Sequence, residues 1–197
     1  MSLLVDELAA RLYWRRMPAV PPDVAQWYGA PFRGYALGAV REVLTGTWQL
    51  RPAAFATVRL VRYGGQLPGE AQSAVCAIRL RRPLPVVEVL VPPVDPMSRT
   101  DALPHLNGLG GGLEVRAADP AAATQVLAAV QRYLAGCEPG WYFRTSGTDM
   151  LSWWPVRELP VAGAPSTYHQ VPAPPMTAAT VQWRLDRLCH LADLMAA

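Results

Sequence analysis

Leu113-Glu114-Val115-Arg116-Ala117-Ala118-Asp119-Pro120 opens the stretch that decides the fold, and the aromatic run Trp141-Tyr142-Phe143-Arg144 closes it. Leu113, Val115 and Ala117 alternate with Glu114 and Arg116, which puts an apolar row and a charged row on opposite faces of a short strand. Asp119 then suits an N-cap, because its carboxylate accepts the orphan amides of a first helical turn, and Pro120 loses no needed donor there. The spacing of Ala123, Val126, Leu127, Val130 and Leu134 predicts a helix from Pro120 to about Ala135 with one apolar stripe. Gly136 supplies a stop. Beyond it, Trp141–Arg144 and Met150-Leu151-Ser152-Trp153-Trp154 flank Ser146-Gly147-Thr148-Asp149, the pattern of a β-hairpin. Strand, helix and hairpin form one unit, since the helix stripe needs a sheet to cover.

Working outward, the N-terminal Ser2 can cap a helix whose stripe is Leu4, Val5, Leu8, Ala9 and Leu12, fading near Trp14-Arg15-Arg16. After a proline break, Trp27-Tyr28-Gly29-Ala30-Pro31-Phe32 reads as an aromatic loop. From Arg41 to Val91 the pattern is β. Strands are expected at Arg41–Trp48, Ala54–Tyr63, Gln72–Arg81 and Val86–Val91, the last two separated by Pro83 and Pro85. Pro92–Gly112 reads as a long loop. Its glycines precede a strand rather than open a helix, so they do not form a phosphate cradle. Pro155–Pro175 reads as extended, proline-rich chain. Thr177 can cap a final helix to about Met195, on which Val181, Leu185, Leu188, Ala192 and Met195 repeat at four and three, widened by Leu191 and Leu194.

The chain has 197 residues, of which 51% are apolar and 17% charged, a globular balance. All 18 basic residues are arginine, and a formal net charge of +3 makes no demand for nucleic acid. Cys76, Cys137 and Cys189 have no motif spacing and read as thiols in a reducing compartment. With no run long enough for a membrane span and no signal peptide, the expected location is the cytoplasm.

The constellations of known chemistries are not assembled in the sequence. His105, His169 and His190 lack zinc-ligand spacing, and Cys189-His190 are adjacent and so point to different faces of a helix. There is no nucleophile elbow, and Ser146 before Gly147 is a turn residue. Glu88 and Glu114 could meet as paired acids if their strands are neighbours; a salt bridge of Glu114 to Arg79 is equally available. No cofactor, metal or catalytic residue is assigned.

Five stretches carry a resemblance. They are Leu8–Trp14; Tyr28-Gly29-Ala30-Pro31-Phe32; Leu84-Pro85-Val86-Val87-Glu88-Val89; Leu113–Pro120; and Met150-Leu151-Ser152-Trp153-Trp154-Pro155. In them the chain resembles a family of uncharacterised actinobacterial proteins, over about residues 8 to 158. The resemblance implies a helical start, a meander and a strand–helix unit. It implies no activity and no site residues. Many relatives carry an N-terminal apolar anchor helix, and no such helix precedes Ser2 here.

These readings give an α+β protein with an antiparallel sheet of about six or seven strands, helices on one face and a C-terminal amphipathic helix. The expected organisation is one domain over residues 1–158, a Pro-rich tether over 159–176 and a terminal helix over 177–197. The expected function is a non-catalytic binding or scaffold protein that can self-associate. Its candidate contact residues are Trp27, Tyr28 and Phe32 of the aromatic loop and Val181, Leu185, Leu188, Leu191 and Met195 of the last helix. Two alternatives are a small-molecule binder or enzyme with a Trp- and Arg-lined pocket between sheet and helix, and a peripheral membrane protein using Trp14, Arg15 and Arg16.

Overall fold

A 22-residue strand, β4 (Gly69–Leu90), is the spine of the computed structural model, which describes residues 2–18, 35–62, 69–92, 103–106, 112–137, 140–155, 157–158 and 175–196. Before it come α1 (Ser2–Leu12), β1 (Arg15–Arg16), β2 (Tyr35–Trp48) and β3 (Arg51–Arg62). After it come β5 (Glu114–Ala117), α2 (Pro120–Ala128), α3 (Gln131–Ala135), β6 (Tyr142–Trp153), β7 (Arg157–Glu158) and α4 (Ala178–Ala196). The strands form one antiparallel sheet. β3 and β5 share one edge of β4 in succession, and β7 and β6 line the other.

The fold class is the one expected, but two details of the sheet differ. The third and fourth strands of the meander are one strand, and the expected hairpin at 141–154 is also one strand, β6, that follows β4 around a corner. The register shows how. From Arg79 to Leu84 β4 advances five residues while β6 advances two, from Asp149 to Gly147; from Leu84 to Val87 it advances three against two. β4 therefore takes the outside of the bend and β6 the inside. Pro83 and Pro85 lie in these two register breaks, where a missing N–H removes no ladder bond. Gly147, at φ 62°, turns β6 at the same place. The bend brings the two ends of β6 together. The Ser152 hydroxyl donates to the Tyr142 carbonyl at 2.8 Å, and the Tyr142 and Trp153 rings lie 5.9 Å apart. A straight strand would hold those residues roughly 35 Å apart. Thr145 satisfies the corner: its hydroxyl accepts from the Val87 amide at 3.0 Å and donates to the Pro85 carbonyl.

The predicted helix 120–135 is two helices. Asp119 caps α2 as expected, accepting from Ala121 and Ala122 at 3.0 and 3.1 Å. The Val130 amide then bonds the Leu127 carbonyl at 3.0 Å, a tighter turn that resets the helix. Ala123, Leu127, Val130 and Leu134 all remain buried across this break. They join α1, α4 and one sheet face (Phe55, Cys76, Val89, Phe143, Met150) in the main core. The opposite face carries a second cluster around Val75, Leu90, Tyr142 and Trp153.

Where the first helix is expected to fade, Arg15 and Arg16 form a short strand paired with Thr45 and Leu44. Between helix and strand, Tyr13 takes φ 54°, and the Trp14 amide bonds the Ala9 carbonyl at 3.1 Å, a Schellman-type helix end with tyrosine where glycine is usual. Trp14 is buried, its indole lies against Gly46, and its Nε1 donates to the Thr47 carbonyl at 3.3 Å. The β2–β3 connection also holds bulky residues in left-handed backbone, Gln49 at φ 45° and Leu50 at φ 63°. A two-residue hairpin wants positive φ at both positions, and a residue with a Cβ costs ~1–2 kcal/mol in each.

Candidate functional site

The expected contact face of the last helix lies inside the protein. Val181, Leu185, Leu188, Leu191 and Met195 are all buried and belong to the main core, so the parent sheet occupies the seam that a partner would need. Trp27, Tyr28 and Phe32, like the tether at 159–174, lie outside the described residues.

Polar residues lock α4 in place. Thr177 and Thr180 cap it reciprocally, each amide bonding the other's hydroxyl at 2.9 and 3.2 Å. The guanidinium of Arg184 is buried. It donates to the Ser152 hydroxyl at 2.8 Å and the Trp153 carbonyl at 2.9 Å, and lies 4.1 Å over the Trp154 ring. Asp186 accepts from Trp48 Nε1 at 2.9 Å and Gln49 Nε2 at 2.7 Å, which ties the β2–β3 tip to the helix. Arg51, itself buried, pairs with Asp193. Sequence reasoning missed Arg184 because charge is read as a solvent face, yet it sits three residues after Val181, within the apolar stripe.

Two further groups of chemically capable side chains stand out. In the first, cross-strand register places His105, Arg116, Glu88 and Arg144 in one row over β5, β4 and β6, on one side of the sheet. Glu114 shares that side and accepts from Arg116 at 2.7 and 3.0 Å. Glu88 is buried, and its charge holds up the pKa of Arg144, which burial pushes down. The two acids that the sequence allowed to meet therefore have an arginine between them, and Arg79 pairs with Asp149 at 2.9 Å rather than with Glu114. Alternating charges of this kind fix strand register.

In the second group, Arg187 lies 4.3 Å from the Trp183 ring centroid and 5.4 Å from that of Tyr133, and donates to Cys137 Sγ at 3.3 Å. The His190 ring lies 4.9 Å from Tyr133. Burial pushes the Tyr133 hydroxyl pKa up, against the opposing pull of Arg187. The other two thiols are inert: burial pushes Cys76 up to about 12 and Cys189 up to about 11.

Among the described residues, a small open pocket of about 10 Å³, room for about one water, lies between sheet and helix; it is lined by Leu113, Val115, Leu127, Gln131 and Leu134, not by Trp and Arg. Among the described residues no helix is long and apolar enough to cross a membrane.

No family model matches the chain, and neither does any curated protein. Among solved structures it is similar to the mycobacterial trehalose monomycolate transport factor A, TtfA. The superposition has a TM-score of 0.54 and 10% identity, and covers 98% of this chain and 90% of that one. At that identity the likeness is one of fold.

Proposed function

We propose that this protein is a non-catalytic accessory protein that acts by binding another protein, as a cytoplasmic relative in fold of a transport factor. The observation that carries the reading is the fold likeness to TtfA, which runs through nearly the whole of both chains rather than through one motif. The packing supports it. The aromatic and arginine side chains that could have lined a pocket (Arg184, Trp153, Trp154, Arg187, Trp183) contact one another and the backbone, building a rigid body with α4 fastened to the sheet. The resemblance to actinobacterial proteins, several of them membrane-anchored, fits a component that works beside a larger assembly. The test is affinity purification of the tagged chain from its source organism after mild crosslinking, with light scattering of the purified protein. A stoichiometric partner or a defined oligomer is the expected result. A strict monomer that retrieves nothing refutes the proposal.

A further inference from the structure

Three large apolar side chains stand exposed among the described residues: Leu3 at 83%, Tyr13 at 95% and Leu50 at 90%. Leu3 lies at the start of α1. Tyr13 and Leu50 both lie at the β2–β3 turn end of the β1–β2–β3 ladder. Arg15 pairs with Thr45, and Trp14 rests on Gly46 and Thr47, so Tyr13 flanks the end of β2; Leu50 follows that end directly, in the turn after Trp48. Both residues have positive φ, the conformation that glycine or asparagine adopts with least strain. The chain therefore holds two bulky apolar groups in unfavourable backbone, and buries neither. An outlier of that kind points to a use outside the fold.

The strands next to these two side chains are rich in arginine. Arg15, Arg81 and Arg82 are exposed. Arg51, at the foot of the hairpin, donates to the Arg79 carbonyl at 3.4 Å, so the stretch leading to Arg81 and Arg82 passes beside the tip. Arg82 reaches the Met195 carbonyl at 3.2 Å, at the same end of α4. Of the acids nearby, Glu7 and Asp193 are paired with Arg11 and Arg51, whereas Asp186 keeps its charge while binding the neutral Trp48 and Gln49 side chains, which leaves arginine in excess. Three exposed arginines thus lie on the strands next to two protruding apolar groups, one an aliphatic tip and the other an aromatic ring with a polar end. That combination matches the water–lipid boundary, where apolar groups enter the acyl region, tyrosine sits at headgroup depth and arginine meets lipid phosphate.

We infer that this end of the ladder docks on an anionic lipid surface, with Leu50 and Tyr13 as the inserting groups and Arg15, Arg81 and Arg82 as the contacts to phosphate. The inference stands apart from the protein-partner reading, because it uses a different surface and a different ligand. The strained backbone is part of the device: Asp186 grips Trp48 and Gln49, so the tip meets the surface already ordered.

The test is co-sedimentation of the full chain with vesicles of phosphatidylcholine mixed with phosphatidylglycerol, against vesicles of phosphatidylcholine alone. Binding to the anionic vesicles that weakens with added salt is expected. Leu50→Asn and Tyr13→Asn suit the left-handed backbone, so both variants should melt at or above the wild-type temperature, which separates lost binding from lost folding. Each is expected to lower vesicle binding about tenfold, the effect of about 1.4 kcal/mol of lost insertion. Arg81→Gln should reduce binding to anionic vesicles without changing the melt. Absence of binding at low salt, equal binding to both vesicle types, or unchanged binding by Leu50→Asn overturns the inference. If the vesicles are ignored while Leu50→Asn abolishes retrieval of a protein partner, the turn end is a protein-docking site and the lipid assignment is refuted.

Discussion

Replacing Thr145 by valine probes the corner on which the sheet turns. The two side chains have nearly the same shape, so the substitution removes a hydroxyl and little else. That hydroxyl accepts from the Val87 amide at 3.0 Å and donates to the Pro85 carbonyl, and Thr145 is fully buried. Valine leaves both backbone groups without this partner, beside the register break between Leu84 and Val87. An unsatisfied buried group costs about 1–3 kcal/mol. A loss of about 2 kcal/mol in a chain of this size lowers the melting temperature by about 4–8 °C. Thr145→Ser is the control. It keeps the hydroxyl and loses one methyl, worth about 0.8 kcal/mol. Urea unfolding of both variants reads the difference directly, with an unchanged m-value showing that the folded state is still compact. If valine is no more damaging than serine, the hydroxyl does not hold the corner and the account of the bend is refuted.

Gly46→Ala should be among the most damaging single-methyl additions in the protein, because the new Cβ would fall within the Trp14 indole. Overpacking of a core costs about 1–3 kcal/mol, read by the urea midpoint; a neutral result would mean that Trp14 does not pack there. Asp119→Ala removes the acceptor of two amides at the start of α2 and should cost about 1 kcal/mol, with Asp119→Asn recovering most of it. Burial raises Cys76 from 9.0 to about 12, so the unfolded chain ionises first. Stability from the neutral thiol is complete below pH 9 and is lost as pH rises from there toward about 12, by up to about 1.4 kcal/mol per unit. Urea midpoints measured either side of that threshold should fall more steeply in the wild type than in Cys76→Ala. Equal slopes would show that the thiol is hydrated.

The parts of the fold carried by local pattern were legible in the sequence. The cap at Asp119, the stripe Ala123–Leu127–Val130–Leu134 and the repeat Val181–Leu185–Leu188 each follow from spacing along a single element. The corner was not. Pro83, Pro85 and Gly147 do interrupt regular strand, but the same signals describe a strand that ends and a strand that bends. Only the pairing of β4 with β6, a contact across roughly 70 residues, distinguishes them. The same limit hid Arg184: nothing local says that its charge will meet the Trp153 carbonyl and the Trp154 ring. Tyr13 and Leu50 are illegible for a different reason. Neither is a residue that pattern rules associate with left-handed backbone, so their turns carried no signal.

The ties between the β2–β3 tip and the last helix have a consequence for how the molecule is made. Trp48 and Asp186 are 138 positions apart, and Arg51 and Asp193 are 142 apart. Such long closures slow folding, and these two come only when nearly the whole chain exists. During synthesis the meander therefore emerges well before the helix that seals it, with Phe55, Cys76 and Ile78 wet and prone to stick to other nascent strands. A ribosome that stalls before Ala178 should release a product that aggregates rather than a smaller folded protein.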